Sequence, residues 1–138
     1  MNITIELENN AAPHNQSGVN RYGGVFKSKR ELAYIKDLAY KINELYDVEQ
    51  FTDTPISVTY RFGIKPPKSW SKKKTQQALA HEIYPTGKNI GDIDNLVKST
   101  QDVLMNTGII DDDSNVVSLL ASKEYSDYPY IHIRIEKV

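Results

Sequence analysis

The sequence contains no cysteine, and this absence removes several kinds of site at once. Without thiols there is no disulfide bond, no thiolate zinc site and no cysteine nucleophile. Histidine is also scarce, since only His14, His81 and His132 occur, far apart along the chain. We therefore expect carboxylates, rather than sulfur or imidazole, to hold any metal ion that the protein binds.

Long apolar runs are missing as well. No stretch approaches the roughly 18 consecutive apolar residues that suggest a membrane span. The first residues alternate like a strand and lack the basic start and apolar block of a signal peptide. We expect a cytoplasmic protein that does not act on membranes. A length of 138 residues with 39% hydrophobic content predicts one domain, 1–138, with a real core.

Charge is balanced overall but unevenly distributed. The net charge is −1, yet residues 65–91 hold six lysines against one acid, Glu82. Residues 99–138 hold seven acids against Lys123, Arg134 and Lys137. A nuclease needs both kinds of segment, because lysines hold phosphates and carboxylates hold cations. From charge alone, a solvated basic loop and helix face explains the lysines equally well.

Hydrophobic periodicity predicts a single α+β domain, a small mixed or antiparallel sheet covered by helices. Apolar residues recur at helical spacing in two long segments, and a short basic helix follows Ser69 or Ser71. The predicted helices cover 28–47, 70–82 and 93–107. Residues alternate in four segments that we predict to be strands, covering 3–7, 56–64, 116–122 and 129–138, and residues 8–26 form a long loop.

The start of the third predicted helix carries Asp92 and Asp94. An aspartate at that point commonly caps free backbone N–H groups, and for Asp92 alone this is the favoured interpretation. At 100° per residue, however, Asp94, Lys98, Gln101 and Asp102 share one arc turned away from the core. An i,i+4 pair of Asp94 with Lys98 is commonly only a surface ion pair.

A second acidic group follows the same helix. Gly108 ends the helix, and the run Asp111-Asp112-Asp113 leads into the next strand. Such a run often forms a plain solvated turn. Together with Asp92 and Asp94, it can build a cage of hard oxygens suited to Mg²⁺. The spacing does not match a calcium-binding EF-hand loop.

These residues carry a family resemblance. The pattern Asp92-x-Asp94-Asn95-Leu96-x-Lys98, then Asp102, Gly108 and Asp112-Asp113-Ser114-x-Val116, resembles the signature of RusA-type Holliday-junction endodeoxyribonucleases, which phages and prophages frequently carry. The likeness is strongest over 91–125. It extends weakly to Asn20-Arg21-Tyr22 and to the lysine-rich segment 65–74.

The resemblance implies an α+β fold and a site in which Asp92, Asp94 and Asp113 hold the metal ion. It implies that Lys98 is an essential lysine beside them. Asp112 is a further candidate ligand, because the acidic run leaves a one-residue ambiguity. The cofactor would be Mg²⁺, with Mn²⁺ as a substitute.

The partners implied are branched DNA, a four-way junction above all, and a second copy of the chain, since paired cuts call for two active sites. Basic residues would bind the DNA, namely Arg21, Lys65, Lys68, Lys72, Lys73, Lys74 and Lys88. Trp70 or Tyr22 could stack at the branch point or be structural. Family members often have a basic residue and a proline before the first aspartate, where this chain has Asn89-Ile90-Gly91. Lys88 could replace the lost phosphate contact.

Two other functions stay open from the sequence. One is a non-catalytic, basic nucleic-acid-binding module with a solvated acidic turn. The other is a nuclease that prefers flaps or replication forks. An aspartyl phosphatase is disfavoured, because its Asp-x-Asp should follow an apolar strand, whereas Asp92-Ile93-Asp94 opens a helix.

Overall fold

The computed structural model describes residues 1–14, 16–19, 25–45 and 48–138. Within these ranges the elements, in chain order, are β1 (Asn2–Glu6), β2 (Gln16–Val19), β3 (Val25–Lys27), α1 (Lys29–Asn43), β4 (Ile56–Ile64), α2 (Lys72–Leu79), α3 (Ile93–Asn106), a 3₁₀ turn (Asp113–Asn115), β5 (Val116–Tyr125) and β6 (Tyr130–Lys137). None of the described helices is long and apolar enough to cross a membrane.

The main sheet is mixed and has the strand order β1-β6-β4-β5. β6 pairs antiparallel with both β1 and β4, whereas β4 and β5 run parallel. The parallel pair requires a crossover, and the chain from β4 to β5 supplies it through α2 and α3. The predicted α+β class with a small mixed sheet is confirmed.

One face of the sheet forms the core. Alternate residues of β4, from Ile56 to Ile64, are buried, as are Ile131, Ile133 and Ile135 of β6. α1 and α3 contribute their own apolar stripes to the same cluster, and the Tyr34 and Thr100 hydroxyls lie 2.7 Å apart between the two helices. The opposite face is polar: Thr4 meets His132 there with 2.7 Å between their polar side-chain atoms.

The segment 8–26, predicted as a loop, contains the antiparallel pair β2 and β3. The loop prediction is wrong for these two strands. They are only four and three residues long, which is too short for an alternation of apolar and polar residues to be recognised in the sequence. Two helices are shorter than predicted: α1 ends at Asn43 and α2 covers Lys72–Leu79. Arg21, with its neighbours Asn20 and Tyr22, lies outside the described residues.

Gly63 marks a close approach between β4 and β6. It pairs in register with Tyr130, whose ring lies across it. A Cβ at Gly63 would lie 2.0 Å from Tyr130 Cε1, well inside van der Waals contact. The Tyr130 hydroxyl donates to Glu124 at 2.5 Å, which restrains the ring.

We predict that Gly63→Ala lowers the free energy of unfolding by about 1–3 kcal/mol, because the restrained ring must move. Urea denaturation measures this change. Gly87→Ala is the matched control, since a Cβ at Gly87 meets nothing within 4 Å. In a Tyr130→Ala background the Gly63→Ala penalty should shrink, and an unchanged penalty there would contradict the assignment of the strain to this ring.

Candidate active site

The chain reaches α3 through a turn that needs glycine. Gly91 has φ +99°, and a Cβ there would lie 2.5 Å from the ring of Pro13. The Lys123 ammonium of β5 donates to the Gly91 carbonyl oxygen at 3.0 Å. A left-handed residue packed against Pro13 and bonded to Lys123 fixes how the backbone approaches Asp92.

Asp92 is the N-cap residue of α3 but does not cap it with its side chain. Its backbone is extended, with φ −71° and ψ 144°, and the carboxylate makes no cap hydrogen bond. The Asp92 carbonyl oxygen accepts from the backbone N–H groups of Asn95 and Leu96. The simple capping interpretation therefore does not account for this carboxylate, which is exposed at the positive end of the helix dipole.

α3 divides into a buried and a polar face, as its sequence predicts. The buried residues are Leu96, Val97, Ser99, Thr100, Val103 and Leu104. Asp94 and Lys98 are exposed and Asp102 is half-buried. The Lys98 ammonium forms an ion pair with Asp102 at 3.1 Å. The surface ion pair of Lys98 with Asp94, which the sequence left open, does not form.

Lys98 also reaches the acidic turn beyond α3. Its ammonium nitrogen lies 4.0 Å from Asp113 Oδ2. The hydrogen bond and charge of Asp102, and to a smaller extent the charge of Asp113, raise the pKa of Lys98 above its ordinary value. Lys98 thus stays cationic at neutral pH and links the α3 face to Asp113.

The three acids of the turn have different surroundings. Asp111 accepts from the Asp53 backbone N–H at 2.8 Å and from the Asn115 side-chain amide at 2.9 Å. Asp112 accepts from the Ser114 backbone N–H at 2.9 Å, and its hydrogen bonds to Ser114 lower the pKa of the Asp112 carboxyl. Asp111 and Asp112 therefore stabilise the turn itself, whereas Asp113 faces Lys98.

Carboxylates of the right kind for Mg²⁺ are present, but they are not assembled into a cage. No group of three or more His, Asp or Glu side chains within the described ranges lies close enough together to hold a metal ion. Mg²⁺ usually needs only one or two protein carboxylates, together with waters and substrate phosphates. The exposed pair Asp92 and Asp94 fits that mode in number and chemistry, and Asp113 and Asp112 stay predicted ligands.

The predicted DNA-binding lysines in the described ranges all lie between the end of β4 and the start of α3. Lys65 directly follows β4, Lys68 follows it closely, and Lys72 to Lys74 form the first turn of α2, all exposed. The Lys74 ammonium lies 4.1 Å from the centroid of the Trp70 ring. Lys88 is exposed in the loop that leads to Asp92.

Other residues hold the site in place and were not singled out from the sequence. The His14 backbone N–H donates to Asn95 O at 2.8 Å, and Ser99 Oγ donates to Ala12 O at 2.7 Å, so residues 12–14 lie along the start of α3. His14 Nδ1 lies 2.9 Å from the buried carboxylate of Glu31. No sequence pattern indicates these contacts, because their partners are far apart along the chain.

The comparison with known proteins identifies the family of the chain. The family model of the endodeoxyribonuclease RusA matches residues 9–136. This range contains both acidic groups, Lys98 and nearly the whole fold. The chain therefore belongs to the RusA family of Holliday-junction endodeoxyribonucleases.

The chain is also similar to a curated bacterial protein. The chain is 36% identical over 107 residues to the uncharacterized protein YqaN of Bacillus subtilis strain 168, an alignment that covers 76% of this chain and 73% of that protein.

We predict that Asp102→Asn lowers the pKa of Lys98 more than Asp113→Asn does, because Asp102 is the nearer partner and its Oδ1 accepts a hydrogen bond from the Lys98 ammonium. An NMR titration of the lysine side-chain carbons measures both shifts. Asp127→Asn, in the turn after β5, is the control and should leave the Lys98 pKa in place. A larger drop with Asp113→Asn would show that Lys98 is held chiefly by the turn.

Proposed function

We propose that the protein is a Mg²⁺-dependent endodeoxyribonuclease that resolves four-way DNA junctions by paired phosphodiester hydrolysis. The observation that carries this proposal is the polar start of α3, where Asp92 and Asp94 are exposed, Asp92 is not used as a cap, and Lys98 connects to Asp113. Family membership supplies the class of substrate.

In this proposal each residue has a role set by its position. Asp92 and Asp94 would hold the ion, with Asp113 as the third carboxylate and Asp112 as its neighbour. When bound, Mg²⁺ neutralises phosphate charge and lowers the pKa of a coordinated water. The Lys98 ammonium, charged at neutral pH, donates a hydrogen bond to a phosphate or leaving oxygen. Asp102 holds Lys98 on the α3 face until substrate arrives.

The exposed lysines would bind the DNA arms. Lys72 and Lys73 form no ion pair with an acid within the described part of the chain, and Lys65, Lys68 and Lys88 are exposed as well. Contacts of this kind release counterions from DNA, so binding should weaken steeply as salt rises. Arg21 belongs to the same proposed set by the resemblance alone.

A homodimer would supply the second active site. β5 is an edge strand of the sheet, and it exposes Val117, Leu119 and Leu120 by 61%, 49% and 67%. A long apolar edge strand tends to pair with another chain unless it is protected. We propose that a second copy covers this edge, which follows directly after the acidic turn.

We predict that the wild type cuts a synthetic four-way junction in Mg²⁺ and that Asp94→Asn and Lys98→Met each cut it at least about 100-fold more slowly, since each removes a group proposed to act on the reacting phosphate. Both variants should keep their junction affinity within a few fold. A gel assay of cleavage and a mobility-shift assay of binding measure the two quantities separately.

Glu136→Gln serves as the matched control, because Glu136 is an exposed carboxylate near the end of β6, and its ion-pair partner among the described residues is Arg134. It should cut at the wild-type rate. Equal cutting by wild type and Asp94→Asn would exclude the proposed site. Binding without any cutting by the wild type would favour the non-catalytic module, and faster cutting of flaps or forks would favour the other nuclease class.

For the dimer, we predict that Leu120→Lys shifts the protein from dimer to monomer in analytical ultracentrifugation, because a charge at the centre of an apolar interface is left without a partner. Its melting temperature as a monomer tests whether the fold survives. Arg134→Lys, on β6 inside the sheet, is the control and should leave the mass unchanged. A wild type that is monomeric at all accessible concentrations would contradict the proposal.

A further inference from the structure

A cavity of about 430 Å³ lies immediately upstream of Asp92 along the chain. Its walls come from four places: Arg30 at the start of α1, Lys65 and Trp70 after β4, Tyr125 at the end of β5, and the loop carrying Lys88 and Ile90. Only Gly91 separates Ile90 from Asp92, so the cavity and the proposed catalytic carboxylates are neighbours.

The charge of the cavity is entirely positive. Arg30, Lys65 and Lys88 contribute to its wall, and none of the described residues that line it is acidic. Arg30 donates to the backbone oxygens of Asn89 and of Ala11. A guanidinium has five N–H donors, so these two bonds leave further donors for an anion. The cavity can therefore hold a phosphate without a competing carboxylate.

The rest of the wall is aromatic and apolar. The Trp70 and Tyr125 rings meet edge to face, with their centroids 5.2 Å apart. Lys74 covers part of the Trp70 ring at 4.1 Å from its centroid. Ile64 and Ile90 complete this side. Flat, partly buried aromatic surface beside cations is the combination that single nucleotides select, with the base on the rings and the phosphate on the charges.

We propose that this cavity binds one unpaired nucleotide of the DNA strand that enters the site. Its volume falls in the range of about 300–1,000 Å³ typical of small-ligand pockets. A base stacked within a duplex cannot reach such a pocket without leaving the stack, whereas a base at a branch point is already partly free. The position next to the scissile phosphate rests on the proposed function; the binding itself does not.

The experiment uses the fluorescence of Trp70, which is the only tryptophan of the chain. The full-length protein is titrated, without divalent metal, with a four-way junction carrying one extra unpaired thymidine at the crossover and with an intact duplex of the same length. The first DNA should quench Trp70 and bind about tenfold more tightly than the duplex, as expected for stacking of one base.

Gly87→Leu blocks the cavity at little cost to the fold. Gly87 lines the cavity, and a Cβ there meets nothing within 4 Å. We expect this variant to lose the quenching and the tenfold preference while keeping its duplex affinity and melting temperature. Thr52→Leu is the control, since Thr52 is exposed before β4, at the opposite end of that strand from Lys65, and it should bind like the wild type.

An unchanged preference in Gly87→Leu overturns the proposal, as does equal wild-type binding of the two DNAs. Quenching by free thymidine monophosphate at the same concentrations as by the junction would show that the cavity takes free nucleotides, and it also overturns the assignment to a DNA strand. Junction cutting in Mg²⁺ is measured separately. A wild type that shows the quenching but no cutting would remove the proposed function and leave the nucleotide pocket standing.

Discussion

The first two turns of α3 are tied down by parts of the chain that are distant in sequence, and the whole candidate site depends on this anchoring. The backbone of His14 bonds to Asn95, Ser99 bonds to Ala12, and Lys123 of β5 bonds to Gly91. These bonds satisfy polar groups on the packed side of the helix start, where a buried unpaired group would cost about 1–3 kcal/mol. They also set the direction in which Asp92 and Asp94 project.

The Asp92 side chain takes no part in this anchoring and does not cap the helix. A helix whose N-cap side chain makes no hydrogen bond gives up roughly 1 kcal/mol of stability. Exposed carboxylates close together at one helix end also repel one another. A cation bound there under the proposed function would relieve this repulsion, so the protein should become more stable when metal is added. Groups that lower the stability of the folded protein, as the uncapped helix start and its exposed carboxylates do, are typical of functional sites.

Much of the fold could be predicted from periodicity, because α3, β4 and β6 each bury one face and expose the other. The bounds of α3 and the left-handed Gly108 after it agree with the prediction. The β2 and β3 pair was not predicted, since its strands are too short to show an alternation of apolar and polar residues. Long-range contacts such as Lys123 with Gly91 and His14 with Glu31 could not be predicted, because a one-dimensional pattern does not say which side chains meet across elements.

For the acidic residues too, the sequence predicts some features of the structure and not others. Of the acidic run, the sequence indicates only Asp112 and Asp113 as candidate ligands, and the bonds of Asp111 to Asp53 and Asn115 agree with a role in the turn. The sequence could not indicate that Lys98 would choose Asp102 over Asp94, because both acids are four residues away along the helix. The metal-binding roles of Asp92, Asp94 and Asp113 follow from the resemblance and are consistent with their exposure, and they stay predictions.

The most direct test of the central claim is where a paramagnetic ion binds. Substoichiometric Mn²⁺ added to ¹⁵N-labelled protein broadens amide signals near the ion. We expect broadening centred on residues 92–95 and 113–114, and we expect excess Mg²⁺ to reverse it and Asp94→Asn to weaken it. Broadening centred elsewhere, or none at millimolar Mn²⁺, would contradict a metal-dependent active site at the start of α3.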